Sequence, residues 1–130
     1  MIKANELRVW NLIDFEGETC KVLSIDGQGV DVSFIGSGEE VWIDLFQFRP
    51  IPLTEEWLLK LGFEKTKENF CTYDLGKISI YMPSICYEEG RTYFNSWVII
   101  EKSPKYVHQL QNLYFCLCGK ELELSNQNVM

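Results

Sequence analysis

The sequence is short of histidine, short of positive charge and free of long apolar runs, and each shortage removes a class of function. His108 is the single histidine of 130 residues, so a histidine-based zinc site or a charge-relay triad would rest on one side chain. Lys and Arg number 12 against 19 Asp and Glu, a net charge of −7. Proteins hold phosphate backbones with basic side chains that displace counterions, so this balance disfavours nucleic acid and favours solubility or basic partners. The acidity is concentrated at the front: up to Pro52 there are four basic and nine acidic residues. No segment approaches the roughly 20 apolar residues of a membrane helix. The opening MIKANELRVW has neither the apolar core nor the small-residue cleavage site of a signal peptide. The five cysteines, Cys20, Cys71, Cys86, Cys116 and Cys118, are odd in number and irregularly spaced, which suits reduced thiols rather than a disulfide framework. A cytoplasmic protein without a membrane anchor is expected.

Catalytic signatures are equally sparse. Gly27-x-Gly29 and Gly36-x-Gly38 do not open a helix after a strand, and no Walker-type lysine follows them. Cys116-x-Cys118 falls inside a predicted helix, where residues two apart point about 200° from each other, and no second pair stands at zinc spacing. The adjacent acids Glu39-Glu40, Glu55-Glu56 and Glu88-Glu89 read as solvated turns or helix starts. Asp74 with Glu101-Lys102 has the wrong spacing for a metal-dependent nuclease, because a lysine directly after the acid faces the other side of a strand. No enzyme, no cofactor and no metal are expected.

What the chain has in quantity is aromatic side chains, with eight Phe, six Tyr and four Trp, too many for a disordered chain and enough for a sizeable core. From Leu7 to Leu45 the pattern has a period of two. Val30, Val32 and Phe34 alternate with Asp31 and Ser33, and Val41, Ile43 and Leu45 alternate with Trp42 and Asp44. Asp26-Gly27-Gln28-Gly29 and Gly36-Ser37-Gly38 punctuate the strands as turns. Four or five short strands in so few residues close most economically into a small barrel of the SH3-like or Tudor-like kind over residues 1–52. Arg49-Pro50-Ile51-Pro52 ends the strands.

A second unit over 53–130 is predicted in the order α, β, β, β, α, an antiparallel sheet with its helices on one face, packed with the barrel as one compact body. Its first helix has Thr54 as N-cap, Glu55 and Glu56 in the first turn, and Gly62 with Phe63 as the stop. Strands follow over Asn69–Leu75, Lys77–Met82 and Thr92–Glu101. The final helix, from a Ser103 cap and Pro104 to Gly119, carries an apolar stripe of Val107, Leu110, Tyr114 and Leu117, with Gln109, Gln111 and Asn112 on the wetter side.

Two strings, IPLTEEWLLKLGF at Ile51 to Phe63 and VHQLQNLYF at Val107 to Phe115 followed by CGKELEL, stand with the opening IKANELRVWNLI. On them the chain resembles a family of small uncharacterised proteins of Bacteroides-type genomes, found in phage, prophage and other mobile-element settings. The resemblance implies a bacterial or phage-encoded cytosolic protein and carries over no catalytic residue.

Candidate binding residues come from exposed aromatics and from the lone histidine. Trp42 is out of phase with Val41, Ile43 and Leu45, so its indole is expected to face outward, where Trp10 or Phe46 would join it in a patch for a peptide or a cation. The plainer alternative docks Trp42 on the second unit. His108 reads first as a partly exposed helix histidine, with Gln111 and Asn112 at i+3 and i+4; as a binding residue it would act with Asn112. The function expected is that of a non-enzymatic accessory or interaction protein working through protein–protein contacts. The alternatives are a nucleic-acid binder, using the barrel or a stripe of Lys60, Lys65, Lys67 and Lys77, and an acidic mimic of nucleic acid that occupies a basic host factor.

Overall fold

The computed structural model describes residues 6–66, 72–81, 91–94, 97–100 and 104–124. It is a mixed α+β protein, and the described residues form two antiparallel sheets and two helices, α1 (Glu55–Lys60) and α2 (Val107–Cys118). Two compact units emerge, Met1–Pro52 with Lys105–Glu121, and Leu53–Pro104 with Leu122–Met130.

In the first unit β1 (Leu12–Phe15), β2 (Glu18–Ile25), β3 (Gly29–Phe34) and β4 (Glu40–Asp44) form a meander in chain order. Period-two alternation sends Ile13, Cys20, Val22, Val30, Val32 and Ile43 to one face, where Leu7 and Phe48 complete a buried core. Two residues at positive φ, Glu16 at 52° and Gly17 at 85°, make the tight turn between β1 and β2. Beyond β4 the chain returns to β1: Asp14 and Arg49 exchange backbone hydrogen bonds of 2.9 and 2.8 Å.

The chain passes from one unit to the other after Pro52, but the expected assignment of the final helix to the second unit is corrected here, because α2 belongs with the first sheet. Its buried stripe is Val107, His108, Leu110 and Gln111, so two of its four buried positions are polar. Gln111, expected on the wet side, accepts the Leu12 N–H at 2.8 Å and donates to the Trp10 carbonyl at 3.3 Å. Buried polar groups need partners, and this one finds them in the backbone just before and within β1. An apolar stripe alone does not say which sheet a helix covers; the polar pairs decide it. The helix also starts later than expected, with Tyr106 as the residue before its first turn. Gln109 Oε1 serves that end by accepting the N–H groups of Lys105 and Tyr106 at 2.9 and 3.2 Å. Gly119, at φ 71°, closes the helix by donating to the Phe115 carbonyl at 2.9 Å. Pro52 and Tyr106 pair as an isolated bridge, and Val107 N–H donates to the Ile51 carbonyl at 2.8 Å.

The second unit opens with α1 as expected: Thr54 Oγ1 accepts the Trp57 N–H at 3.3 Å, and Phe63 N–H donates back to the Leu58 carbonyl at 2.9 Å. Its sheet runs β5 (Glu64–Lys65), β6 (Thr72–Leu75), β7 (Ile78–Tyr81), β8 (Arg91–Phe94) and β9 (Trp97–Ile100), each antiparallel to the next. The single strand expected over Thr92–Glu101 is therefore two strands paired with each other. Asn95 and Ser96, which stand between the two in sequence, lie outside the described residues. The Ser103 cap, Cys71, Cys86, Lys67 and residues 82–90 and 125–130 lie outside the described residues. Among the described residues no helix is long and apolar enough to cross a membrane.

Candidate binding face

The first sheet has an outer face that its register defines. Directly opposed residues share a face, so Leu12, Lys21, Ser33 and Glu40, paired in sequence across the four strands, stand together on the side away from the core. Asp31 and Trp42, themselves cross-strand partners, lie two residues along on the same side, and Asp44 follows Trp42 at the next outward position of β4. Leu12 is only 2% exposed because α2 covers the β1 end of this face. From β2 to β4 the face is open, with Asp31, Glu40 and Trp42 all exposed.

Trp42 is 45% exposed yet fixed in place. Its indole N–H donates to Asp26 Oδ2 at 3.0 Å. The other oxygen of Asp26 accepts the N–H groups of Gln28 and Gly29 at 2.7 and 2.8 Å, which folds the β2–β3 turn. The backbone bond from Gln28, the indole bond and the bond from Gly29 hold the Asp26 carboxyl below its ordinary range. Gly29 provides the seat: a Cβ there would overlap the Trp42 ring and the Ile43 carbonyl. The indole thus lies over bare backbone at the turn end of β3, with Glu40 and Asp44 beside it on its own strand and Asp31 across from it. Ser24 Oγ donates to Asp31 Oδ2 at 2.6 Å.

Trp10, 44% exposed, reaches the same face by an unusual backbone. Its φ is +82°, a left-handed conformation costly for a bulky side chain. Two bonds impose it, from Trp10 N–H to the Val22 carbonyl at 2.7 Å and from Gln111 Nε2 to the Trp10 carbonyl at 3.3 Å. Lys21 Nζ lies 4.7 Å from the centroid of the Trp10 ring. Phe46, 79% exposed, stands in the turn after β4, where its N–H donates to Asp44 Oδ1 at 3.0 Å.

The remaining candidates turn inward. His108 is 1% exposed, not a partly exposed residue. Its ring stacks on Tyr106 at 6.0 Å, with Glu6 Oε1 3.8 Å from Nε2. Asn112 accepts from Arg8 Nε at 3.0 Å and Asn11 Nδ2 at 2.9 Å and donates to the Glu6 carbonyl at 2.9 Å, so its polar atoms are committed to the fold. Arg8 completes the joint with a fork onto Glu121, at 2.9 and 3.2 Å, and a stack 4.4 Å over the Phe115 ring. Cys20 is buried, and burial, reinforced by Glu18 and Asp14, pushes its thiol up to about 11, which makes it an inert core residue.

In the second unit the expected basic stripe is interrupted, since Lys60 pairs with Glu56 at 3.3 Å and Lys65 with Glu55 at 3.8 Å. Among the described residues no three His, Cys, Asp or Glu side chains come together as a metal site. Period two announced that Trp42 faces out, but its carboxylate surround and glycine seat depend on strand register, which single-strand patterns do not carry. Compared with protein-family models, characterised proteins and solved structures, the chain matches none of them.

Proposed function

We propose that the chain is a non-enzymatic interaction protein whose first unit, a small barrel of the SH3-like kind, offers the open outer face of its sheet to a basic segment of a protein partner. The return of the chain from Arg49 to β1 supports the barrel reading. The functional reading rests on one observation: Trp42 is exposed, immobilised on Gly29 and surrounded by Asp26, Asp31, Glu40 and Asp44. A rigid aromatic loses little entropy on binding, and carboxylates around it select a cationic partner and steer it in. The same carboxylates repel phosphate, which weighs against nucleic acid at this face. An accessory role in a phage or mobile element, the setting that the resemblance implies, is compatible with such a module.

The test is titration of the isotope-labelled full chain with short basic, acidic and neutral peptides and with a DNA duplex, read by NMR. Basic peptides alone should shift resonances around Trp42, more weakly as salt is raised and much less in Trp42→Ala. Shifts with DNA alone, or with no peptide class, would overturn the reading.

A further inference from the structure

Building on that reading, we infer that the Trp10 ring is a second subsite of the same face, for an ammonium or guanidinium side chain of the partner, and that Lys21 occupies it in the free protein as an internal stand-in. Three observations converge. Trp10 is held at φ +82° by bonds from two directions, one to β2 and one from α2; a strained conformation that survives only because its surroundings impose it is a recurrent mark of a functional position. The strain has a consequence, since it leaves a large aromatic surface 44% exposed on the open face. Lys21 then shows what that surface accepts. The same outer face carries the carboxylates of Asp31, Glu40 and Asp44, yet among the described residues Lys21 forms no ion pair and its ammonium lies 4.7 Å from the centroid of the indole ring.

An intramolecular cation on an exposed ring is held weakly, because both groups keep much of their water. A partner cation would therefore displace it at small cost, and the freed ammonium would swing into solvent. A partner with two basic side chains, one over Trp10 and one among the carboxylates at Trp42, would use both subsites at once. Lys21 is in this view a competitor that lowers affinity and screens out singly charged ligands.

The experiment is a double-mutant cycle on the full chain, measuring by calorimetry the affinity of an extended peptide that alternates arginine and serine. Lys21→Met removes the competing charge and keeps the length of the side chain; Trp10→Gly removes the ring and suits the left-handed backbone. Trp10→Asn, also tolerant of that backbone, stands in if the glycine variant melts early. Lys21→Met should tighten binding roughly two- to fivefold, the worth of one exposed cation–π contact, and that gain should vanish in the Trp10→Gly background. An equal gain in both backgrounds would mean that Lys21 acts only through its charge, and would overturn the proposal. So would no gain, or a loss. If neither wild type nor Lys21→Met binds the peptide, the reading of the whole face fails first and this one falls with it; if wild type binds and responds to Trp42→Ala while the cycle shows no coupling, only the Trp10 subsite is wrong.

Discussion

At the scale of single residues, the buried polar side chains of α2 carry the most testable consequences. Neither ring nitrogen of His108 has a hydrogen-bond partner among the described residues, and the ring is flanked by Tyr106 and the Glu6 carboxylate. Burial holds its pKa below the ordinary 6.5, outweighing the upward pull of Glu6. The native state therefore refuses a proton that the unfolded state accepts, and stability falls as pH drops through about 6.5. Melting curves between pH 7.5 and 5.5 should show wild type losing more stability than His108→Leu; parallel curves would show that His108 does not titrate in folding. Gln111 makes a complementary case. Gln111→Leu replaces a polar by an apolar side chain in the interior, yet it should destabilise by about 1–3 kcal/mol because the buried Leu12 N–H loses its acceptor. A variant as stable as wild type in urea would mean that another group serves that N–H.

At the scale of elements, α2 separates what the sequence makes legible from what it does not. The helix, its central Leu110 and its Gly119 stop were all readable, because 3.6-residue periodicity and a glycine stop are local signals. Its partner sheet was not, because that choice rests on Gln111, Asn112 and Arg8, polar residues whose mates are about a hundred positions away and which local patterning assigns to solvent. The same limit appears in β4. Ile43 is buried as period two requires, but Val41, of the same phase, is 38% exposed since β4 is an edge strand of its sheet. Leu110 itself is fully buried, so Leu110→Ala should cost about 2–5 kcal/mol by chemical denaturation. The loss should fall on the first unit: amides of β1 and β2 should exchange faster, while those of β6 and β7 should keep their protection. Equal acceleration in both sheets would put the helix in both units.

At the scale of the whole molecule, the chain leaves the first unit after Pro52 and re-enters it at Lys105, and these two points are neighbours, joined by the Pro52–Tyr106 bridge and the Val107 to Ile51 hydrogen bond. The Leu53–Pro104 part of the second unit is in this sense an insertion between β4 and α2. Insertions are tolerated where the flanking ends are close, because the interrupted unit has little loop entropy to lose. Two truncations then have opposite outcomes. A fragment ending at Pro52 lacks α2, so it uncovers Leu12 and leaves Asn11 and the Leu12 N–H without their helix partners; it should be poorly folded. A chain that ends at Glu121 and has residues 53–104 replaced by a short Gly/Ser linker keeps α2 and the whole polar joint from Arg8 to Glu121. It should give a dispersed NMR spectrum and a cooperative melt, and it should retain the response of Trp42 to basic peptides if the binding face lies where proposed. Should the first fragment fold and the linked chain not, α2 is no part of the first unit, and the positioning of Trp10 by Gln111 loses its basis.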